Sequence, residues 1–476
     1  MTPSVEVLEA PLAYVPVDAV GETAPADVSG RIVLTDGLAM EPVVRALEDR
    51  GAAGVVFITG EEIHNMIVSR VWGSPTPETL HDYVGIPVAS LSFGDGTRLR
   101  ARLAEAGGTL PARLSTRVEN RWTEIPVITA EIRGADEDFV MVTGHVDSWG
   151  LGALDNASGN ACAVELARIL APLASDMRRG VRFVFGSGHS HGRYAGSTAG
   201  CDAHLEELER HCLPNVNADC LGGRGATVMT ESPAMASTRG LARTALREAA
   251  GVTDWRGCRF SRSCDQSFWG AGVPSIFSQV SEQPPFEGAA ADAFGKMFGS
   301  GRTGGFGAWW HTRTDTPDKL DPENLARDVR VFASVLAHAL FDERLPVDAA
   351  AEVLELRDEL KTWQEKAGDS LDLSEVLARL DLLAEALEAT ARSDDPKRFE
   401  KRSRRVLSEI IPLAYVEGSV YSHDEALRAP PVPMLRLIDE LASLSEHERN
   451  AALVSLRRAV NRLKASTARA LEAARA

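Results

Sequence analysis

Cysteine is scarce in this chain, and its six cysteines include no C-x-x-C pair. Long apolar runs are also missing, because no stretch approaches the roughly eighteen apolar residues that a membrane span needs. Basic residues are outnumbered, with 51 lysines and arginines against 68 aspartates and glutamates, for a net charge of −17. These absences argue against nucleic acid and anionic membrane surfaces as partners, and they predict reduced thiols.

No secretory leader is predicted either, since residues 1–25 show no basic segment followed by an apolar one. Together with reduced cysteines, this predicts a soluble, cytoplasmic protein. What the chain does have is length: 476 residues with 44% hydrophobic content can form two or three domains, each with its own core.

The most informative motif places an imidazole and carboxylates beside a predicted strand. The β-branched run 139–143 is typical of a buried parallel strand, and the apolar spacing over 160–170 predicts a helix. His145 and Asp147 follow the strand directly, and Asp155 precedes the helix. Open α/β sheets place their sites at such carboxyl ends of strands, so the sequence predicts a functional site here.

Further imidazoles and carboxylates follow later segments. The second predicted strand, 181–185, runs into a glycine-containing loop that carries His189 and His191, and Asp219 and His311 come later in the chain. Any one of them alone is more readily a loop histidine or a capping aspartate. Together at the ends of successive strands, they indicate a site for zinc or another borderline divalent metal.

These motifs resemble the co-catalytic zinc aminopeptidases and glutamate carboxypeptidases, the metallopeptidase family that also includes the transferrin receptor. The spacings of ten residues from His145 to Asp155 and twenty-eight from His191 to Asp219 are similar to those of the carboxypeptidase branch. The resemblance implies one metal held by His145, Asp155 and Asp219, and a second held by Asp155, His191 and His311. It implies zinc, one ion or two, with other divalent metals possible.

The resemblance also implies supporting carboxylates. Asp147 would orient His145 through its other ring nitrogen, and Asp315 would do the same for His311. His191 stands where the family has a carboxylate ligand, which lowers the negative charge of the site by one.

The match departs from the family at the catalytic base. Ser190 stands where the general-base glutamate belongs, and a serine hydroxyl cannot take a proton from water near neutral pH, a step that typically contributes ~10² to 10⁴ in rate. His189 could move the proton if it faces the metals; the alternative is a loop histidine bonded to backbone. Trp310 stands where the carboxypeptidase branch has a carbonyl-polarising tyrosine, although glutaminyl cyclases of the same fold also have tryptophan there.

The predicted fold class is α/β. It is a mixed-sheet zinc aminopeptidase-like catalytic domain with an inserted α/β protease-associated domain and an all-α C-terminal domain. Residues 1–124 resemble the protease-associated domain, 125–345 the catalytic domain and 346–476 the helical dimerisation domain of the family. Within the first domain, 61–77 is either a lid over the active site or an ordinary surface loop, and three strands are predicted, at 31–35, 54–58 and 86–90.

The C-terminal domain carries an apolar stripe of helical period. Its members are Val376, Leu377, Leu380, Leu383 and Leu387. The resemblance implies a homodimer through these helices, and a monomeric bundle with the stripe buried inside is the alternative.

Three functions fit these observations. The first is a zinc-dependent aminopeptidase- or carboxypeptidase-like hydrolase with an atypical active site, which cuts a small peptide or other amide through metal-activated water. The second is the same metal site re-tasked to a reaction on a specialised small molecule. The third is an inactive receptor- or scaffold-like homologue, and the retained set of metal-binding residues counts against it.

Overall fold

Two five-stranded sheets and a group of long helices make up the computed structural model, which describes residues 2–20, 28–298, 305–393, 395–425 and 429–476. The first sheet has the order β4-β3-β2-β1-β5, with β5 antiparallel to β1 and the other pairs parallel. Its strands are β1 (Val5–Tyr14), β2 (Ile32–Asp36), β3 (Gly54–Ile58), β4 (Val88–Leu91) and β5 (Leu110–Thr116). Helices α1 (Glu41–Glu48) and α2 (Phe93–Glu105) cover it.

The inner strands of this sheet are buried, which explains their near-continuous hydrophobic runs. The three strands predicted here correspond to β2, β3 and β4. Strands β1 and β5 were not predicted from the sequence. Pro11 faces Pro111 in their register, and a proline inside a run is a sequence signal against a strand.

The second sheet is mixed and has the order β10-β9-β7-β8-β6. Strand β6 is antiparallel to β8, and the other pairs are parallel. Its strands are β6 (Ile128–Ile132), β7 (Phe139–His145), β8 (Gly180–Gly186), β9 (Cys212–Asn217) and β10 (Ser275–Ile276). The helices around it are α3 (Gly159–Leu170), α4 (Ala195–His211), α5 (Arg239–Ala250), α6 (Ala289–Phe298) and α7 (Pro322–Phe341).

The register of this sheet fixes where the candidate site can form. His145 pairs with Gly186, and Thr143 pairs with Asn217, so the carboxyl ends of β7, β8 and β9 lie side by side. The mixed-sheet α/β fold class is therefore confirmed. Among the described residues the first sheet precedes the second and does not interrupt it, so an inserted domain is not what the structure shows.

The C-terminal helices are α8 (Ala349–Ala367), α9 (Ser374–Ser393), α10 (Pro396–Tyr415) and α11 (Glu446–Arg475). One hydrophobic cluster runs without a break from the second sheet through α7 into these helices, so they share a core with that sheet and do not have a separate one. The predicted stripe lies in that cluster: Val376, Leu380 and Leu383 are fully buried within the chain. These buried members of the stripe are therefore not available to a second copy, and the homodimer stays a prediction.

Two expectations from composition can be compared with the structure. All six cysteines carry free thiols, and four of them are buried. Across the part of the chain that the structure describes, none of the helices is long and apolar enough to cross a membrane.

Candidate metal centre

Four side chains predicted as metal ligands converge at the carboxyl end of the second sheet. His145 is the last residue of β7, and Asp219 follows β9 by two residues. One carboxylate oxygen of Asp155 lies 3.0 Å from His145 Nε2, and the other lies 3.0 Å from His311 Nε2. Asp219 Oδ1 lies 3.7 Å from the same nitrogen of His145. All four side chains are buried.

Three of the converging atoms lack the partners that buried polar atoms normally have. They are His145 Nε2, Asp155 Oδ1 and Asp219 Oδ1, and none has a hydrogen-bond partner among the residues that the structure describes. His145 Nε2 and Asp155 Oδ1 are close, but they are not aligned as donor and acceptor. Leaving a buried polar atom unpaired costs about 1–3 kcal/mol. Imidazole nitrogen and carboxylate oxygen are ligands that zinc accepts, so the donor set fits a divalent metal ion.

Two groups of described residues bring ligand atoms within 4.8 Å of one another. The first contains His145, His189 and Asp219; the second contains Asp155, Asp219 and Cys220. The sequence analysis gave no role to Cys220, although it directly follows a predicted ligand. Burial, with the nearby carboxylates of Asp219 and Asp155, raises the pKa of the Cys220 thiol well above its ordinary value.

The electrostatics of the cluster favour a positive charge at its centre. Burial by itself opposes charge on His145, but Asp155 and Asp219 outweigh it and raise the pKa of the imidazole well above its usual value. Burial likewise opposes ionisation of Asp155, yet the His145 and His311 rings hold the pKa of its carboxyl well below the ordinary range. Either a proton on His145 or a metal ion can supply this positive charge.

For both His145 and His311, the group that contacts ring nitrogen Nδ1 differs from the predicted one. His145 Nδ1 lies 2.8 Å from the backbone carbonyl of Asp147, whereas the nearest contact to the Asp147 carboxylate is 4.0 Å. His311 Nδ1 lies 2.8 Å from the backbone carbonyl of Asn65, in the N-terminal unit. Neither predicted carboxylate therefore orients its imidazole directly; Asp147 does so through its backbone.

Asp315 does not orient His311 but stabilises the loop that carries Asp155. Its two carboxylate oxygens accept hydrogen bonds from the backbone N–H groups of Leu154 and Asp155, at 2.8 and 3.0 Å. Asn156 joins the same loop to the end of β9, donating to the carbonyl of Ala218 at 2.9 Å and accepting from Cys220 N. These links bring Asp155 and Asp219 together.

The turn after β8 places His189 and His191 in different surroundings. Gly188 has a φ of +72°, and its carbonyl accepts hydrogen bonds from the N–H groups of Gly192 and Ala195. His189 is buried, and its ring stacks on that of His145 with 3.7 Å between centroids. His191 is exposed, its ring packs edge-on against Trp149 at 4.5 Å, and it belongs to neither ligand group. Its ligand role stays a prediction.

Ser190 lies between these two histidines and is buried. Its backbone N–H and that of His189 donate to the two carboxylate oxygens of Asp147, at 2.9 and 3.1 Å. The Ser190 hydroxyl has no hydrogen-bond partner within the described part of the chain. The Asp147 carboxylate thus fixes the turn that carries both residues.

Trp310 packs beside the cluster. Its ring stacks on His311 with 3.5 Å between centroids, and it lies in a hydrophobic cluster with Leu154, Cys220 and Phe294. Trp310 therefore lines the candidate site and packs against the ring of His311, a predicted ligand.

The segment predicted as a lid or a surface loop packs against the candidate site. Asn65 donates to the His311 carbonyl from its backbone at 2.9 Å and from its side chain at 3.2 Å, and it accepts from the His311 ring. Trp72 is buried, donates to Ser267 Oγ at 2.9 Å and lies 4.1 Å from the Tyr194 ring. The sequence analysis did not identify Asn65. Its backbone carbonyl contacts a residue far away in the sequence, and no local sequence pattern indicates such a contact.

Comparisons with known proteins show what this chain is similar to. Residues 127–336 match the family model described as Peptidase family M28. Aminopeptidase YwaD of Bacillus subtilis (strain 168) is 25% identical over 328 residues, which cover 67% of this chain and 65% of that protein. A glutamate carboxypeptidase 2 homolog of Caenorhabditis elegans is 27% identical over 177 residues, 36% of this chain and 21% of the relative. The chain thus spans less than two thirds of either relative.

Among solved structures, BSAP, a zinc aminopeptidase from Bacillus subtilis, is 20% identical with a TM-score of 0.49, over 72% of this chain and 78% of that one. An aminopeptidase from Aneurinibacillus sp. strain AM-1 is 20% identical with a TM-score of 0.44, over 71% and 76%. Every predicted ligand lies between residues 145 and 311, inside the segment that the family model matches. Residues 127–336 of this chain therefore resemble peptidase family M28, in agreement with the resemblance seen in the sequence.

Proposed function

We propose that this chain is a metal-dependent hydrolase that cuts a peptide or other amide bond through metal-activated water. The observation that carries the proposal is the set of three buried ligand atoms, on His145, Asp155 and Asp219, that face one another without hydrogen-bond partners among the described residues. The family match supports peptide hydrolysis. A relative named as an aminopeptidase supports an amide substrate beside a free amine.

The residues that would hold the metal are His145, Asp155, Asp219 and His311, and the two oxygens of Asp155 lie 3.0 Å from the His145 and His311 rings. Zinc or a similar divalent ion, when bound, polarises a substrate carbonyl and makes water more acidic. The protein's own part is to hold the ligands in place. Backbone carbonyls fix both imidazoles, and Asp315 holds the loop of Asp155. Such outer partners set ring orientation and ligand basicity.

The active site we propose is atypical because Ser190 replaces the base glutamate of the family. The Ser190 side chain is a neutral hydroxyl, which accepts no proton near neutral pH. Absence of a positioned base costs typically ~10² to 10⁴ in rate. We therefore expect slow cleavage of simple peptides. Without a base, the rate would depend more strongly on how acidic the activated water is.

Metal content and amide cleavage test this proposal together. Protein purified without added metal or chelator should contain one or two equivalents of a divalent metal by elemental mass spectrometry. A panel of aminoacyl and acidic dipeptide amides should be cleaved, and cleavage should stop with chelator and return with zinc. Asp219→Ala should lose metal and activity, whereas Asp318→Ala, an exposed aspartate, should keep both. Metal-free wild-type protein would contradict the proposal and favour a scaffold.

A second candidate keeps the metal and changes the reaction to one on a specialised small molecule. The observation that supports it is the buried Ser190 hydroxyl, which has no hydrogen-bond partner among the described residues. A Ser190→Glu variant distinguishes the two. Gain of aminopeptidase activity supports a peptidase site that has lost its base, while no gain with metal still bound favours the second candidate.

A further inference from the structure

A thiol lies beside the carboxylates of the candidate site, and the proposed ligand set does not use it. Cys220 is 4% exposed and directly follows Asp219. Its sulfur, one carboxylate oxygen of Asp155 and one of Asp219 lie within 4.8 Å of one another. Oxygen and sulfur ligands of a single zinc ion sit about 2.0–2.2 Å and about 2.3 Å from it, so they are necessarily this close together.

The two carboxylates point to a ligand independently of the thiol. Asp155 and Asp219 are each 5% exposed, and the Oδ1 atom of each has no hydrogen-bond partner among the described residues. Buried carboxylates are costly unless they are paired or coordinate a metal. A cation between these aspartates would supply the missing partner, and the Cys220 sulfur lies next to the same oxygens.

The backbone explains how two consecutive residues can face the same point. In an extended chain, neighbouring side chains point to opposite sides. Cys220 instead has a φ of +54°, a left-handed conformation that costs a non-glycine residue about 1–3 kcal/mol. Its N–H donates to Asn156 Oδ1 at 3.3 Å, and that of Leu221 donates to Ser158 Oγ at 2.9 Å. These bonds hold the turn, and with it the thiol, against the loop that carries Asp155.

We infer that Cys220 is a thiolate ligand of the divalent metal ion proposed between Asp155 and Asp219. The inference rests on the proposed function, because it concerns the same metal centre. On binding, the S–H bond of Cys220 breaks, a sulfur–metal bond forms and the proton leaves to water. The thiolate returns to the site the negative charge that is lost where the resemblance sets His191 in place of a carboxylate. As a soft ligand it favours zinc over manganese, which carboxylates suit.

Metal binding by the full-length protein tests this inference. Co²⁺ is the first probe, because a thiolate bound to Co²⁺ gives a sulfur-to-metal charge-transfer band in the near ultraviolet, which imidazole and carboxylate ligands do not give. Wild-type protein should show this band, and Cys220→Ser should lose it. Cys264→Ser, at a second thiol close to Asp219, and Cys201→Ala, at a buried thiol in α4, should keep it.

Metal selectivity separates a ligand from a packing residue. Cys220→Ser keeps a group that can hydrogen-bond to Asp219 but removes the soft donor. Competition with a chromogenic chelator should show zinc affinity weakened by more than about 10-fold, since even an outer partner of a ligand is worth roughly 10- to 100-fold. Mn²⁺ affinity should fall by less, so the preference for zinc over manganese should decrease.

Other results would overturn the inference. Metal-bound wild-type protein without the band, or equal losses of Zn²⁺ and Mn²⁺ affinity in Cys220→Ser, would leave Cys220 as a packing residue of its hydrophobic cluster. Loss of the band in Cys264→Ser alone would give the role to that thiol. Cys220→Ala, with folding checked by circular dichroism, replaces the serine variant if that variant does not fold. A wild-type protein that binds no metal would overturn the proposed function as well, so the two failures are distinguishable.

Discussion

The two imidazoles that contact Asp155 are held in the same way by parts of the chain at very different distances. His145 Nδ1 meets the carbonyl of a residue two positions later, whereas His311 Nδ1 meets the carbonyl of Asn65, 246 positions earlier. The His145 half of the site is therefore built within a strand end. The His311 half is held in part by hydrogen bonds from the N-terminal unit.

The backbone of His311 strengthens this contrast. Its φ is +61°, a left-handed conformation that costs a non-glycine residue about 1–3 kcal/mol. The two hydrogen bonds that Asn65 donates to the His311 carbonyl stabilise that conformation. The difference between the halves supports the view that the proposed metal centre at the end of the second sheet depends partly on a domain that supplies none of its proposed ligands.

The largest effect should come from the residue that both halves share. Asp155→Ala removes the carboxylate that contacts His145 and His311, so it should weaken zinc binding by more than about 100-fold, beyond what loss of an outer partner costs. Elemental mass spectrometry and chelator competition measure this. Asp318→Ala is the matched control, and wild-type metal content in Asp155→Ala would exclude a shared ligand.

Lowering the pH should destabilise the packing around the His311 half of the site, because His64 lies beside Asn65. This imidazole is fully buried beside Asn65, and burial lowers its pKa to about 4. Because the unfolded chain takes up this proton near pH 6.5 and the folded chain does not, stability is complete above pH 6.5. It falls by on the order of 3 kcal/mol as the pH drops towards 4.

His64→Asn keeps a donor for the Glu62 carbonyl and removes the titration. Its free energy of unfolding, from denaturant titrations at several pH values, should fall less than that of wild type between pH 6.5 and 4. His447→Asn, at an exposed position, serves as control. Parallel profiles for wild type and His64→Asn would show that His64 does not carry this pH dependence.

A smaller effect on zinc binding is expected when the loop that carries Asp155 loses a hydrogen bond. Asp315→Asn leaves one acceptor oxygen for the two N–H groups of Leu154 and Asp155, so one of them loses its partner. Zinc binding should weaken by roughly 10- to 100-fold. Chelator competition provides the measurement, and unchanged affinity would mean that the loop keeps its shape without the carboxylate.

The smallest effect should follow from Asn65→Ala. The variant removes only the side-chain hydrogen bond to the His311 carbonyl and keeps both backbone contacts. A loss of about 0.5–1.5 kcal/mol in stability is expected, with metal content unchanged. Thermal unfolding of metal-loaded and metal-stripped protein measures it. A large loss of metal would show that the Asn65 side chain, and not its backbone, holds the His311 half.

Much of the site followed from the sequence because its signals are local. The run 139–143 marked β7, and a buried parallel strand presents the residue after it at the edge of the sheet, which placed His145. The α/β class and the helical C-terminal third also followed from periodicity. Strands β1 and β5 were not predicted, because the prolines that face each other in them are a sequence signal against a strand.

Only the tertiary structure decided which groups surround each imidazole of the candidate site. Sequence motifs name side chains, whereas the contacts to His311 and His189 come from a backbone carbonyl and a carboxylate 246 and 76 residues away. The turn after β8 also decided that His189 faces the cluster and His191 faces outward, since backbone hydrogen bonds to Gly188 break the alternation that an extended segment would have. Local sequence fixes the ends of strands, and long-range packing chooses the partners that meet there.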